Sequence, residues 1–333
     1  MTTHTHPTRA WGLRQAGVYY ALLILIAALA MLAAAKDLPP YLAPANLTNI
    51  VYQSSLVGIM AVAMTVVLIT GSIDLSVASV AALAAAVLVG LAGSIGFVPA
   101  MICALCTAAA IGILNGVIVE LVGINAFIVT LATLTGVRGL VLVLTDGRSL
   151  MVERPDVLAQ MLAFESGGLQ TPRGAIPLPV VYLAVFTLLT WFALTRTVIG
   201  RRLYAVGGNA EAAMLSGIDV RAYRIGAFVL SSVAAGFAGV LFGCRLGAIN
   251  PTAMQGSELT VIAAAILGGT SLYGGAGSVL RTVAGSLVLF TLTNGFNILN
   301  LGANYQGIIE GAVIIVAAAI YTVGGRTSGR RQA

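Results

Sequence analysis

Apolar runs of about twenty residues, parted by short polar breaks, recur from one end of this chain to the other. A bilayer core about 30 Å thick takes about 20 apolar residues as helix. Ten runs meet or approach that length: 16–35, 48–70, 77–95, 97–121, 124–145, 178–195, 223–243, 259–273, 279–299 and 305–323. Only 8% of the 333 residues are charged, against roughly 25% in a soluble domain, too few to cover a water-facing surface. The expected fold is therefore all-α: one integral-membrane domain over 16–323 with about ten transmembrane helices. Tails at 1–15 and 324–333 flank it, the first polar and expected to be disordered. The eighth run is short and ends in glycines, so it reads as a half-span or a re-entrant segment as readily as a full crossing.

Orientation follows from the Lys and Arg positions. With ten spans both termini share a side, which holds eleven of the 17 basic residues: Arg9, Arg14, Arg196, Arg201, Arg202, Arg221, Arg224, Arg281, Arg326, Arg330 and Arg331. The other side holds Lys36, Arg148, Arg154, Arg173 and Arg245, while Arg138 falls within a span. The positive-inside rule then places both termini and loop 196–222 in the cytoplasm and loop 146–177 outside. The stretch 16–35 exceeds the usual 7–15-residue core of a signal peptide, so a retained first span is expected despite Ala33-Ala34-Ala35.

The scattered charges argue against nucleic-acid binding, which wants basic residues clustered with interleaved aromatics. Cys103 and Cys106 have redox-motif spacing but sit in an apolar run without the electropositive surroundings that lower a thiol pKa. His4 and His6, alone in the tail, do not make a metal site. No cofactor is implied.

The most informative stretch is Gly200-Arg201-Arg202-Leu203-Tyr204-Ala205-Val206-Gly207-Gly208-Asn209-Ala210-Glu211-Ala212-Ala213-Met214-Leu215-Ser216-Gly217-Ile218. Gly207 and Gly208 read as a turn and Asn209 as an N-cap. Glu211 complements the helix dipole, and Gly217 is suited to a left-handed stop. The product is a helix of about seven residues outside the membrane, with Met214 and Leu215 available for contact. A capped surface turn is the plain reading; a docking helix for a cytoplasmic partner is the functional one.

This pattern resembles the permeases of ribose-type ABC sugar importers. Gly71-Ser72-Ile73-Asp74-Leu75-Ser76, Phe127 to Thr133 followed by Arg138-Gly139, the glycine cluster Gly268 to Gly277, Asn294-Gly295-x-Asn297 and Gln306 extend the resemblance over about 47–323. It implies that Gly200, Arg201, Tyr204, Ala205, Gly207, Gly208, Asn209, Glu211, Ala212 and Gly217 form a coupling segment seated on a separate ATP-hydrolysing subunit. It also implies a second permease subunit, either a copy or a paralogue, an extracytoplasmic solute-binding protein and a monosaccharide or similar polyol as substrate. Ser72 stands where a second glycine is common, and Arg281 where a small residue is frequent.

The remaining motifs leave alternatives open. Gly269 and Gly274 have the spacing of a phosphate loop, but Gly275-Ala276 stands where Lys and Ser/Thr are needed, and Lys36 is the chain's one Lys. Close backbone packing is the rival reading of these glycines; with Gly71 to Ser76 they also hint at a duplicated half. Asp74 reads equally as a helix cap and as a gate. Gln53, Asn294, Asn297 and Gln306 are candidates for a sugar path, with Glu310 weaker, although interhelical hydrogen bonding explains such amides as readily. The alternative function, an ion-coupled secondary transporter, would want ionisable groups near mid-bilayer, where Arg138 and Glu310 are the nearest candidates.

Overall fold

The computed structural model describes residues 13–171 and 174–300, together with 307, 311 and 312. Gln306, Glu310 and the tenth run at 305–323 lie outside the described residues apart from 307, 311 and 312. Eight helices among the described residues are long and apolar enough to cross a membrane. They are α1 (Leu13–Ala35), α2 (Pro44–Ile69), α3 (Val77–Ile95), α4 (Phe97–Val117), continued by a π-helical turn over Ile118–Val122, and α5 (Ala126–Thr145). With shorter elements between them, α7 (Leu178–Arg196), α10 (Val220–Leu246) and α12 (Val279–Ile298) follow.

Local chemistry fixes these boundaries. Pro44 opens α2 in the first turn, where a missing N–H costs nothing. Asn125 caps α5 by accepting from the Phe127 N–H at 2.9 Å, and Asp219 caps α10 by accepting from the Ala222 N–H at 3.0 Å. Gly123 and Gly247, both left-handed, end the π turn and α10.

The centre of the bundle is α2, buried from Ser54 through Thr70. On one side it meets α10, which packs closely on α3 and α4; on the other it meets α7, α11 (Ser257–Leu267) and α12. Small residues permit the closest approach. A Cβ at Gly112 of α4 would lie 2.8 Å from the Phe228 carbonyl of α10, so only glycine lets these helices touch.

The connections carry structure that the hydropathy pattern does not suggest. Loop 146–177 contains β1 (Leu150–Met151), a twelve-residue helix α6 (Pro155–Ser166), and a hairpin of β2 (Gly168–Thr171) and β3 (Gly174–Pro177). Strand β1 pairs antiparallel with β4 (Ala248–Ile249), which ties the exits of α5 and α10 together. Loop 196–222 holds two helices, α8 (Val198–Gly208) and α9 (Ala210–Leu215).

The eighth run resolves into a short helix preceded by irregular backbone. Helix α11 has 11 residues, about 16 Å at 1.5 Å per residue and half of a bilayer core. Yet Ala248 and Ile249 pair at one end of the bundle, while Gly274 and Gly275 pack on Gly207 and Gly208 at the other. Irregular backbone at 250–256 covers the rest of the distance. It is sheltered by Arg138 of α5, whose Nη1 donates to the carbonyls of Pro251 at 3.2 Å and Ala253 at 2.8 Å. Such backbone is tolerated at membrane depth where protein satisfies it. Arg138 is thereby accounted for as a structural donor.

Candidate functional site: the α8–α9 junction

Helix α8 leaves α7 at a sharp corner. Thr197, in extended conformation, accepts from the Gly200 N–H at 3.4 Å, and a Cβ at Gly200 would overlap the Leu194 carbonyl. Leu203 and Val206 face inward while Arg201 and Arg202 stay exposed, so α8 is amphipathic. The helix runs through Gly207 and Gly208, which are not the turn expected from the sequence. The break falls one residue later at Asn209, whose extended backbone (φ −157°, ψ 102°) separates α8 from α9. The Asn209 N–H still donates to the Ala205 carbonyl at 3.0 Å, so one residue ends α8 and begins α9.

As its N-cap, Asn209 Oδ1 accepts from the Ala212 N–H at 2.9 Å. Glu211 is exposed in the first turn, and Gly217 (φ +79°) turns the chain away in the left-handed region. Helix α9 is six residues long, with Ala213 buried beneath it. Its outer side presents Met214 and Leu215, 62% and 81% exposed. Large apolar side chains held open on a short capped helix are suited to a partner surface.

The two glycines bind α8 to two other segments. A Cβ at Gly207 would overlap the Ile69 carbonyl at the end of α2, and one at Gly274 would lie 2.6 Å from the Gly207 carbonyl and 3.0 Å from the Gly71 Cα. The Gly275 N–H donates to the Ile69 carbonyl at 2.9 Å, and Tyr204 Oη donates to the Gly277 carbonyl at 3.0 Å. Gly71 and the 268–278 loop, about 200 residues apart, therefore meet at the α8–α9 junction. The loop's glycines are in backbone contact, the packing arrangement rather than a phosphate cradle. Arg281, the departure at the base of α12, lies near Tyr204, where its charge opposes the upward push of burial on the phenol pKa.

Beside this junction Asp74 is fully buried. Its Oδ1 accepts from the Ser76 N–H at 2.9 Å and Ser76 Oγ at 2.6 Å, and its Oδ2 accepts from Ser231 Oγ of α10 at 2.8 Å. The chain continues outward: Asn115 Nδ2 donates to Ser76 Oγ at 3.0 Å and Thr133 Oγ1 donates to Asn115 Oδ1 at 2.6 Å. Burial raises the Asp74 carboxyl pKa, and the hydrogen bonds from Ser76 and Ser231 act against it. Asp74 thus shapes the first turn of α3 and also joins α3 to α10, α4 and α5. A cavity of about 560 Å³, lined by Gly71, Ser72, Glu120, Asn125, Phe127 and Arg224 among others, opens next to it.

The expected path residues are dispersed. Asn294 is buried and its Nδ2 donates to Asn46 Oδ1 at 2.9 Å, an interhelical bond between α12 and α2. Asn297, three residues on, is exposed. Gln53 is exposed on α2 and donates to Asn49 Oδ1 at 3.2 Å. All three lie at the end of the bundle opposite α8 and α9.

That opposite end holds a cluster the sequence does not disclose. Glu165 of α6 is fully buried and accepts from Tyr52 Oη at 2.8 Å and Arg245 Nε at 2.8 Å. The Arg245 guanidinium lies 4.2 Å from the Tyr52 ring centroid. Tyr52 and Glu165 are 113 residues apart, and nothing in their local sequence connects them.

A bundle with eight long apolar helices among the described residues is that of a multi-pass membrane protein. The family described as the branched-chain amino acid transport system / permease component matches residues 46–318. The ribose import permease protein RbsC of Escherichia coli (strain K12) is 39% identical over 96% of this chain and 98% of its own length. The D-allose transport system permease protein AlsC of the same strain is 37% identical over 91% and 90%. The L-arabinose ABC transporter permease protein AraH of Azospirillum brasilense is 33% identical over 93% and 90%. No solved structure matches. The chain belongs to this permease family, and it is a multi-pass protein of the bacterial inner membrane.

Proposed function

We propose that this chain is the membrane-spanning subunit of an ATP-binding cassette importer for a monosaccharide or a similar small polyol. It pairs with a second permease subunit. A separate ATPase docks on α9, a solute-binding protein delivers the sugar at the end carrying α6, and the termini face the cytoplasm. The observation that carries this reading is the rigid mounting of α9. Its exposed Met214 and Leu215 stand on a backbone junction that reaches α2 through Ile69 and α12 through the 268–278 loop. A push or pull on α9 is therefore delivered to the ends of spans rather than lost in a loop. Sugar as the substrate class rests on the names of the relatives and suits the neutral amides at the outer end.

The test is uptake by proteoliposomes carrying the purified complex. Uptake of a radiolabelled sugar should require internal ATP and the binding protein, and an ATPase subunit should co-purify in mild detergent. Uptake driven by a proton or sodium gradient without ATP would replace this reading with the secondary-transporter alternative.

A further inference from the structure

Beneath α8 an apolar groove of about 440 Å³ opens between three elements, with Val66 of α2, Ile199 and Leu203 of α8, and Tyr223, Gly226 and Leu230 of α10 among its walls. We propose that the groove holds an acyl chain of an anionic phospholipid from the cytoplasmic leaflet, with the phosphate set against Arg202. The leaflet follows from the orientation given under Proposed function; the groove and its chemistry do not depend on it.

Charge complementarity selects this occupant. Helix α8 has the form of an interfacial helix: Val198 and Ile199 are exposed in its first turn beside exposed Arg201 and Arg202. Arg202 Nη1 donates to Tyr223 Oη at 3.2 Å, and among the described residues to no carboxylate, which brings a guanidinium to the rim of the groove. Arg201, Arg202 and Arg221 form no salt bridge among the described residues. Arg224 is paired with Glu120 at 3.3 Å on the other cavity. Asp219, which caps α10, and Glu211, exposed on α9, are the acidic groups in 196–222, against Arg196, Arg201, Arg202 and Arg221. A basic rim over an apolar slot between spans suits an anionic headgroup with its chain below. A lipid so placed is wedged between α8 and α10, and it steadies the coupling segment against the membrane.

The groove can be filled without disturbing the fold. A Cβ at Gly226 would meet nothing within 4 Å, and Ala222 beside it is exposed. The complex with its ATPase is reconstituted in nanodiscs containing phosphatidylglycerol or phosphatidylcholine with a photoactivatable acyl chain, and the labelled peptides are mapped. Phosphatidylglycerol should label the segments around 199–203 and 222–230, and G226L or A222L should cut labelling about fivefold or more as side chain replaces lipid. R202Q should reduce phosphatidylglycerol labelling to the phosphatidylcholine level. Equal labelling by the two lipids, or labelling unchanged in both filling variants, overturns the proposal. So does a photoreactive residue at 222 that captures the ATPase subunit or the 305–323 segment of this chain. ATP-independent uptake would defeat the proposed function while leaving the labelling pattern intact, so the two failures are distinguishable.

Discussion

At the end bearing α8 and α9, segments distant in sequence meet backbone to backbone: Gly207 on Ile69, Gly274 on Gly207 and Gly71, Gly275 on Gly208. At the other end, α6 is held by side chains, with Glu165 accepting from Tyr52 and Arg245 and an aromatic group formed by Phe97, Phe164, Tyr182 and Phe237. A glycine contact has no rotamers and little slack, so it passes displacement on. A side-chain clasp can open and re-form by rotating a few torsions, at a cost set by leaving charges unpaired. The first arrangement suits a rigid linkage and the second a closure.

Breaking the junction should have the largest effect. Gly207→Ala forces its methyl into the Ile69 carbonyl, and backbone rather than a flexible side chain must yield. The cost should be about 3 kcal/mol, at the upper end for overpacking, with uptake lost and a lower melting temperature. Gly208→Ala is the internal control, because a Cβ there meets nothing within 4 Å and uptake should remain near wild type. Equal damage from the two variants would mean that the close contact at Gly207 is not what matters.

The clasp is tested by Glu165→Ala, which leaves the Arg245 charge without its carboxylate. Loss of one partner of a buried pair costs about 3–5 kcal/mol; the lower figure applies because the Arg245 side chain is 24% exposed. Protease sensitivity of the 146–177 loop should rise. If α6 works as a closure, ATP hydrolysis uncoupled from uptake should rise with it. The double variant E165Q/R245M should recover stability without the charges, and a stable double variant that stays uncoupled would assign the pair to gating rather than folding.

Asp74 sits beside the junction and is held by the Ser76 and Ser231 hydroxyls and the Ser76 N–H. Asp74→Asn keeps one carbonyl oxygen for Ser76, and the Ser231 hydroxyl can rotate to accept from the new amide. The expected cost is about 1 kcal/mol, read as a small drop in melting temperature. A near-complete loss of uptake at unchanged stability would instead favour the gate reading of Asp74.

Much of the fold is legible in the sequence, because a membrane span is declared by composition alone. The eight long helices coincide with expected runs to within a few residues. Asn209, Glu211 and Gly217 are readable for the same reason: caps act over three or four residues. The position of the break is misread, since Gly207-Gly208 carries the local signature of a turn, whereas Gly207 is glycine because the Ile69 carbonyl leaves no room for a Cβ. The ordered non-helical stretch 250–256 is hidden because it is stabilised by Arg138 from another helix. Glu165 is hidden for the simplest reason: its partners Tyr52 and Arg245 are 113 and 80 residues away, beyond any local pattern.

The smallest effect on the isolated chain, and the sharpest on the assembly, is expected from Leu215→Ala. At 81% exposure the side chain contributes little to folding, and surface changes of this kind stay within about ±0.5 kcal/mol. If α9 seats in a groove of an ATPase, the same truncation should weaken the complex by about 1–2 kcal/mol, a several-fold to thirty-fold rise in Kd. Titrating the ATPase subunit against the reconstituted permease measures this directly. Met214→Ala should act in the same direction but less, being 62% exposed. Two variants with unchanged melting temperature and unchanged affinity would leave the junction rigid but without a partner on α9, and the ATPase would have to dock elsewhere.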